Sequence, residues 1–505
     1  MTNYQLPTLP VEALLTPQVT QEELDKKQTI IIRVFDSYGI SVNKITLDAG
    51  PSVSRWTLEV NRDDFDGVSR SRNQIMASIN IHGTRLVNDH QQKTVAIEIP
   101  NNRQVPVSIG AILSSREYQE SEMGLPCALG LTVDGKPFLF DLTKLPHLII
   151  GGDPDQGKSR VIHAMLASLL CKKRPDELKV VMIDTRRLEF SMYNDLAGSF
   201  LATTHLTEHS VIIDTDEAAY AIKGLHHLME IRYQLLKRAG VHCIKDYNDK
   251  IAKGLLSSTE GYSPMPYIVL FVDEFKDLML TKGKEIETPL VMMAQKSRAV
   301  GIHLVISTHL LSPCVLTGII KGNFPSRVAA KTQDGFASQI ILDCEGAEHL
   351  ADMGDLLFRD GDGPLIRIQS AHAGENNHQV RDICYQIHRQ CSKTDLMLLP
   401  PPIDVPNVRS NMNWNGADGF VFEYTEPLFE DAARFVVHCQ KAYTSMLQRY
   451  YSIGYNRANR LLLMLERAGI VSLVTKSGAR DVLVKDNSSL QSILNSLKNR
   501  QIDIH

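Results

Sequence analysis

The chain holds 505 residues, 43% hydrophobic and 22% charged, which is too long for one ordinary domain and has the balance of folded globular protein rather than of a disordered chain. Its 54 Lys and Arg against 58 Asp and Glu leave a formal net charge of -4, which excludes a generally basic coat and confines any polyanion contact to a local patch or channel. Eight cysteines without a C-x-x-C pair speak for reduced thiols and against a zinc site. There is no basic-then-apolar leader and no apolar run near the roughly 18–20 residues that cross a bilayer, so the chain as given is expected to be cytoplasmic.

Residues 1–27 read as an N-terminal extension. From 28 to 144 short β-like runs at Thr29–Phe35, Val53–Val60 and Thr94–Ile99 alternate with helical stretches, and the Pro-Asn-Asn turn follows at 100–102. This predicts a small α/β domain that announces no chemistry of its own.

Residues 145–391 differ in texture. Short, nearly continuous apolar runs at His147–Ile150, Lys179–Asp184, Tyr267–Val272, His303–Ser307 and Arg327–Ala330 predict parallel strands buried on both faces, alternating with helices in an α/β sheet. Directly after the first of them stands Gly152-Asp153-Pro154-Asp155-Gln156-Gly157-Lys158-Ser159, which fits G-x-x-x-x-G-K-[ST] at every fixed position and opens a predicted helix, Ser159–Leu170. Loop amides and the helix N-terminus at such a place surround a β-phosphate. Lys158 would then pair with the β- and γ-phosphates of ATP, and the Ser159 hydroxyl would ligate Mg²⁺. Asp153 and Asp155 are awkward neighbours for a polyanion unless they point to solvent.

The run Tyr267–Glu274 ends in Asp273-Glu274, a Walker B pattern. It predicts Asp273 on the metal and Glu274 as the base that orients and deprotonates the attacking water. Thr308, at the end of the next strand, is placed to read the γ-phosphate. A stiff Leu-Pro-Pro-Pro run then opens a linker, 392–425.

Residues 426–486 show three helical patterns followed by a strand-turn-strand, the layout of a winged helix-turn-helix, and 487–505 form a polar tail. Between 428 and 486 nine Lys and Arg oppose five Asp and Glu, a local excess of four positive charges in an acidic chain. Asn456, Arg457, Asn459 and Arg460 open the third helix, where Asn and Arg reach base edges in a major groove. A solvated face in a protein-binding winged helix is the competing reading.

Several stretches, in this order and spacing, resemble the motor of the FtsK/SpoIIIE family. These are LPHLIIGG-DPDQ-GKS, VVMIDTRRLEFSMY, YIVLFVDEFKDLM, AQKSRAVGIHLVIST and SIGYNRANRLLLMLERAGIVS. The resemblance implies an α/β fold in which a RecA-like P-loop NTPase motor carries a small N-terminal α/β domain and a C-terminal winged helix-turn-helix. It further implies a homo-hexameric ring around double-stranded DNA, driven by ATP and Mg²⁺, with the winged helix reading polar DNA motifs and contacting a site-specific recombinase. In bacteria such motors move chromosomal DNA at the division septum during chromosome segregation. The family's membrane segment lies outside this sequence, so septal placement requires one that is supplied by a partner or was removed.

Three departures stand out: the acidic P-loop, His309 after the sensor Thr where the family has Gln, and Gln339 at the place of a candidate arginine finger. They motivate an alternative, a DNA-binding ring that binds ATP and hydrolyses it poorly. A protein-secretion ATPase of the same superfamily is a further alternative, disfavoured by the winged helix.

Overall fold

The computed structural model describes residues 4–14, 18–89, 93–206, 210–257, 261–352, 354–391 and 397–402. Toward the C-terminus it describes 429–440, 442–444, 446–447, 458, 461–462, 464–466, 468–472, 480–485, 490–491 and 493–494. Two units result, 1–406 and 407–505.

The first unit opens with helix α1 (Gln21–Ser37), whose N-cap Thr20 accepts from the Glu23 amide. Thr29–Phe35, expected as a strand, lies inside this helix. Its buried residues Leu24, Lys27, Ile31, Val34 and Phe35 recur at helical spacing, and the short apolar run alone does not separate that period from two. Strands β1 (Val42–Ala49), β2 (Val53–Val60), β3 (Arg85–Asp89) and β4 (Thr94–Pro100) form an antiparallel sheet in the order β1-β2-β4-β3. Helices α2 (Arg62–Arg70) and α3 (Arg72–Ile79) connect β2 to β3. Trp56, Leu58, Ile97 and Phe35 centre its core.

The small domain ends near Pro100 rather than at 144. The short β5 (Val107–Ser108), β6 (Pro126–Thr132) and β7 (Pro137–Asp141), with helices α4 (Ile109–Leu113) and α5 (Arg116–Gln119) between them, belong to the large sheet that follows.

That sheet is built on β8 (His147–Gly151), β9 (Leu178–Asp184), β11 (Tyr267–Asp273), β12 (Ile302–Thr308) and β13 (Ser326–Ala330). These run parallel in the order β9-β11-β12-β8-β13. Strands β14 (Asp355–Asp360) and β15 (Ile366–His372), then β6 and β7, continue it antiparallel, an arm that the apolar pattern did not reveal. Both faces are covered. Val269 and Phe271 of β11 enter one core with Leu148 and Ile150 of β8, while Ile268, Leu270 and Val272 enter the other with Ile149. This period-two division explains why each parallel strand is continuously apolar.

Helices α6 (Lys158–Leu170), α7 (Thr215–Ala239), α8 (Ile244–Ala252), α9 (Phe275–Lys296), α10 (Gly318–Asn323), α11 (Gly335–Leu342) and α12 (His378–His388) make the crossovers and flanks. Helix α7 is punctuated as its sequence dictates: Asp214 caps two amides at its start, and Gly240 takes φ 62° at its end.

A buried ion pair, backed by a second within the large sheet, ties the small sheet to the large one. Glu98 of β4 stands 3.4 Å from Arg367 of β15, and Arg367 reaches Asp355 of β14 at 2.6 Å. Arg85 (3.4 Å) and Arg55 (2.6 Å) complete the ring around Glu98.

The ends of this unit are also pinned. Gln390 clasps the backbone of Gln5 through both its amide atoms (2.8 and 3.0 Å), and Gln386 clasps Thr8 in the same way (3.0 and 2.8 Å). The 397–402 part of the expected linker is a strap on the motor. Here β16 (Met397–Leu398) pairs with β10 (Ala202–Thr203), and the Leu399 amide donates to Thr203 at 2.8 Å.

In the second unit α13 (Phe429–Cys439) packs Phe429, Val436 and Val437 against Leu461, Leu465 and Ile470. An antiparallel bridge joins Val471 to Val482, at the place of the expected hairpin. Leu490 and Leu494, from the expected polar tail, are buried in this core. Among the described residues no helix is long and apolar enough to cross a membrane.

A candidate nucleotide-binding site

Strand β8 ends at Gly151 and α6 begins at Lys158, and the six residues between must curl tightly. The chain does this with left-handed backbone at Gly152 (φ 149°), Asp155 (φ 61°) and Gly157 (φ 104°). A Cβ on Gly152 would stand 2.7 Å from that of Ala330, and one on Gly157 would stand 2.8 Å from the Gly354 backbone. Both positions therefore require glycine for space as well as for conformation. The loop and the N-terminus of α6 curl around one hollow, the arrangement that holds a phosphate.

The Lys158 ammonium bridges the mouth of this hollow, donating to the carbonyls of Gly152 (2.9 Å) and Asp153 (2.7 Å). Burial pushes its pKa down; Glu274, Asp273, Asp153 and Asp155 oppose that. Asp155 is exposed, as a polyanion site needs, and so is Pro154, while Asp153 is half-buried with its amide held by the Lys331 carbonyl at 2.9 Å.

Strand register brings the other motifs to the same edge. Asp273 is level with Asp184, Val272 with Ile306, and Thr308 with Gly151, so β9, β11, β12 and β8 end together. Asp273 Oδ1 accepts from the Ser307 hydroxyl at 2.6 Å. Burial raises the Asp273 carboxyl to about 6; Ser307 works against this, and the neighbouring Glu274, Glu189 and Asp184 add to it. Glu274 follows in left-handed conformation (φ 51°, ψ 56°) at the start of α9. His309 Nδ1 stands 2.5 Å from its Oε2, and an Arg186 nitrogen stands 3.8 Å away. No well-aligned hydrogen bond reaches that oxygen. Thr308 is buried and accepts from the Leu310 amide at 3.2 Å.

The hollow thus gathers Gly152 to Ser159, Asp273, Glu274 and Thr308. It fits a nucleoside triphosphate: a cradle closed to any Cβ, a buried ammonium, and a hydroxyl and a carboxylate, Ser159 and Asp273, of the type that share a magnesium ion.

Sequence reasoning missed four residues here. Ser307 positions Asp273. Glu189 lies on the loop after β9, whose shape is fixed by Asp184 accepting from the amides of Glu189 and Phe190, each at 2.9 Å. Its carboxyl is held below its ordinary range by His163 first, with burial opposing and Ser159 and Lys158 adding. His163, on α6, in turn meets the Tyr193 hydroxyl at 2.8 Å. Arg186, on the same loop, pairs with Asp277 at 3.3 Å. The one available signal was a charged run, Arg186-Arg187-Leu188-Glu189, directly at a strand end.

With Gln339 at the place of the arginine finger, Arg327 and Arg298 are cations that could serve a neighbouring subunit instead, but Arg327 is committed within its own chain to the carbonyls of Lys321, Phe324 and Ile341 and to Asp343. Arg298 is exposed and donates to the Thr143 carbonyl at 3.1 Å. Gln339 is exposed and donates to Glu345 at 3.3 Å. Asn456, Arg457, Asn459 and Arg460 lie outside the described residues. Arg480, counted with the basic excess of this unit, is buried and paired with Glu466 at 2.9 Å.

Three family models match in chain order: the FtsK alpha domain over 9–101, the FtsK/SpoIIIE family over 108–313 and the FtsK gamma domain over 423–485. Among curated proteins, the DNA translocase FtsK of Chlorobaculum tepidum is 34% identical over 506 residues, covering 98% of this chain and 61% of that protein. The DNA translocases FtsK of Streptococcus agalactiae and Pseudomonas aeruginosa are each 32% identical; the alignments cover 96% and 94% of this chain and 58% and 60% of those proteins. The chain therefore spans less than two thirds of the length of these relatives. Among solved structures, the pCW3 conjugation coupling protein TcpA aligns with a TM-score of 0.49 at 23% identity, over 72% of this chain and 99% of that one.

Proposed function

The chain belongs to the FtsK/SpoIIIE family, and from that premise we propose that it is the ATP-hydrolysing motor of a double-stranded DNA translocase. The observation that carries this reading is the convergence of Gly152–Ser159, Asp273-Glu274 and Thr308 on one sheet edge through the β11-β12-β8 register.

ATP with Mg²⁺ supplies the transferable γ-phosphoryl group and the charge that draws the attacking oxygen. Lys158 binds the β- and γ-phosphates, exchanging its two loop carbonyls for phosphate oxygens. Ser159 and Asp273 would hold the metal, with the Ser307 hydroxyl positioning the Asp273 carboxylate. Glu274 takes the proton from the attacking water, and Thr308, buried one strand away, senses the γ-phosphate. The motor grips phosphates, so pumping is sequence-independent and salt-sensitive, while the winged helix reads sequence. Asn456, Arg457, Asn459 and Arg460 are the residues proposed for that reading. A homo-hexamer around the duplex, a recombinase partner and a role in chromosome segregation at division complete the proposal.

A second reading, a ring that binds ATP and turns it over poorly, is favoured by the contact between His309 and Glu274 and by Gln339 at the arginine-finger place. Steady-state hydrolysis with and without kilobase-length linear duplex, beside Glu274→Gln, separates the two. Stimulation that vanishes in the variant supports the translocase. A flat rate with duplex binding intact refutes it in favour of the platform.

A further inference from the structure

We propose that His309, backed by Arg186, is a positioning residue that clamps Glu274 away from the attacking water and so sets the rate of DNA-independent turnover. The inference rests on the reading of the site as an ATPase and concerns how that activity is held in check.

Strand β11 delivers Glu274 between two neighbours, β12 on one side and β9 on the other. Each neighbour sends one cationic or cation-forming side chain back across the edge. From the end of β12, His309 Nδ1 reaches Glu274 Oε2 at 2.5 Å; from the loop after β9, an Arg186 nitrogen stands 3.8 Å from the same oxygen. At this distance the ring nitrogen and the carboxylate oxygen are in ion-pair contact, although no well-aligned hydrogen bond joins them. The Glu274 side chain is 8% exposed, which leaves it few other directions to turn. A general base works only within hydrogen-bond reach of the water it deprotonates. A carboxylate directed at His309 and Arg186 is directed by them and not by the water.

The clamp is built to open. Arg186 Nε stands 3.3 Å from Asp277 Oδ2 on the first turn of α9, so the guanidinium keeps an ion-pair partner when Glu274 leaves. His309 is 20% exposed, so it meets solvent more than Glu274 does at 8%. It also directly follows Thr308, the residue proposed to sense the γ-phosphate. A shift of the β12 end that engages Thr308 therefore moves the clamp by the same stroke.

The test compares His309→Ala, His309→Gln and Arg186→Gln with the unmodified chain, reading kcat and KM for ATP with and without kilobase-length duplex. His309→Ala is expected to raise DNA-independent kcat about tenfold, the population change produced by losing a polar contact worth about 1.4 kcal/mol. KM is expected to stay within about twofold, since the nucleotide contacts are untouched. His309→Gln, which keeps a neutral donor, should fall between, and Arg186→Gln should rise less than His309→Ala. The rate gained must vanish in Glu274→Gln/His309→Ala. A proportional fall of basal and stimulated rates, or no change in either, overturns the clamp while leaving the ATPase reading intact. An unmodified chain and a His309→Ala variant that both stay at the Glu274→Gln rate, with or without duplex, overturn both.

Discussion

Glu98 is the residue whose loss should be felt farthest from its own position. Its side chain is 1% exposed and faces Arg55 at 2.6 Å and Arg85 and Arg367 at 3.4 Å each. Replacing it with Gln preserves shape and removes the only carboxylate that pairs with Arg85 among the described residues, while Arg367 keeps Asp355 and the one-third exposed Arg55 keeps water. Breaking a buried pair by removing one partner costs about 3 kcal/mol or more, because the remaining charge stays buried without compensation. The loss should appear as local opening of the small sheet, with hydrogen exchange at the β2 and β4 amides around Trp56 and Ile97 accelerating at least about 10²-fold. The charge balance around Glu98 points the same way. Burial alone would raise the Glu98 carboxyl, but Arg85, Arg367 and Arg55 together bring it down to about 2. A depressed carboxyl stabilises the fold above its ordinary value of 4.5, and that contribution is lost as pH falls from there toward 2. The shift corresponds to about 3 kcal/mol. Replacing both Glu98 and Arg85 with Met should recover most of the protection. Exchange in Glu98→Gln within about threefold of the unmodified chain would refute this account of the joint.

Three further outcomes follow from the geometry. Lys158→Ala should weaken binding of a fluorescent ATP analogue by at least about 10²-fold without unfolding the chain, because its loss frees two carbonyls at an open hollow. Asp273, with its carboxyl raised to about 6, must lose a proton before it holds a metal. Magnesium-dependent nucleotide affinity should therefore fall as pH drops below about 6 while metal-free binding does not, and calorimetry in buffers of differing ionisation heat should show proton release there. The same raised value works on stability in the opposite sense to Glu98: its contribution grows as pH falls from about 6 toward 4. Gly130→Ala would place a Cβ 1.9 Å from the Gln369 carbonyl and should part β6 from β15, lowering thermal stability by about 2 kcal/mol or more.

Much of the motor could be read before any coordinates. Gly152–Ser159 and Asp273-Glu274 are contiguous motifs whose spacing is fixed by the chemistry they serve, and the five parallel strands advertise burial on both faces by being apolar throughout. What escaped was whatever depends on contacts between distant segments. Strands β14 and β15 carry Asp355 and Arg367, which look like surface residues until each is seen to neutralise the other inside the protein. Helix α1 was hidden because Ile30, Ile31 and Ile32 satisfy a strand and a helix alike, and only Leu24 and Lys27, a turn or two earlier, decide between them. Glu189, Arg186 and Ser307 act by facing residues on neighbouring strand ends, which no local pattern encodes. His309 was noticed as a departure, but its partner could not be named from the sequence.

The glutamine clasps near the start of the chain carry a mechanical meaning. Gln386, in the last turn of α12, and Gln390, just beyond its C-cap, imitate with side-chain amides the paired donor and acceptor of a β-strand, and Thr8 and Gln5 dock on them. Tyr4 adds an edge-on contact with Phe200, ring centres 6.3 Å apart. Tension applied to the chain at Tyr4 thus enters the motor domain through α12 before it reaches the small sheet. Four hydrogen bonds must therefore give way before such a pull reaches the small sheet.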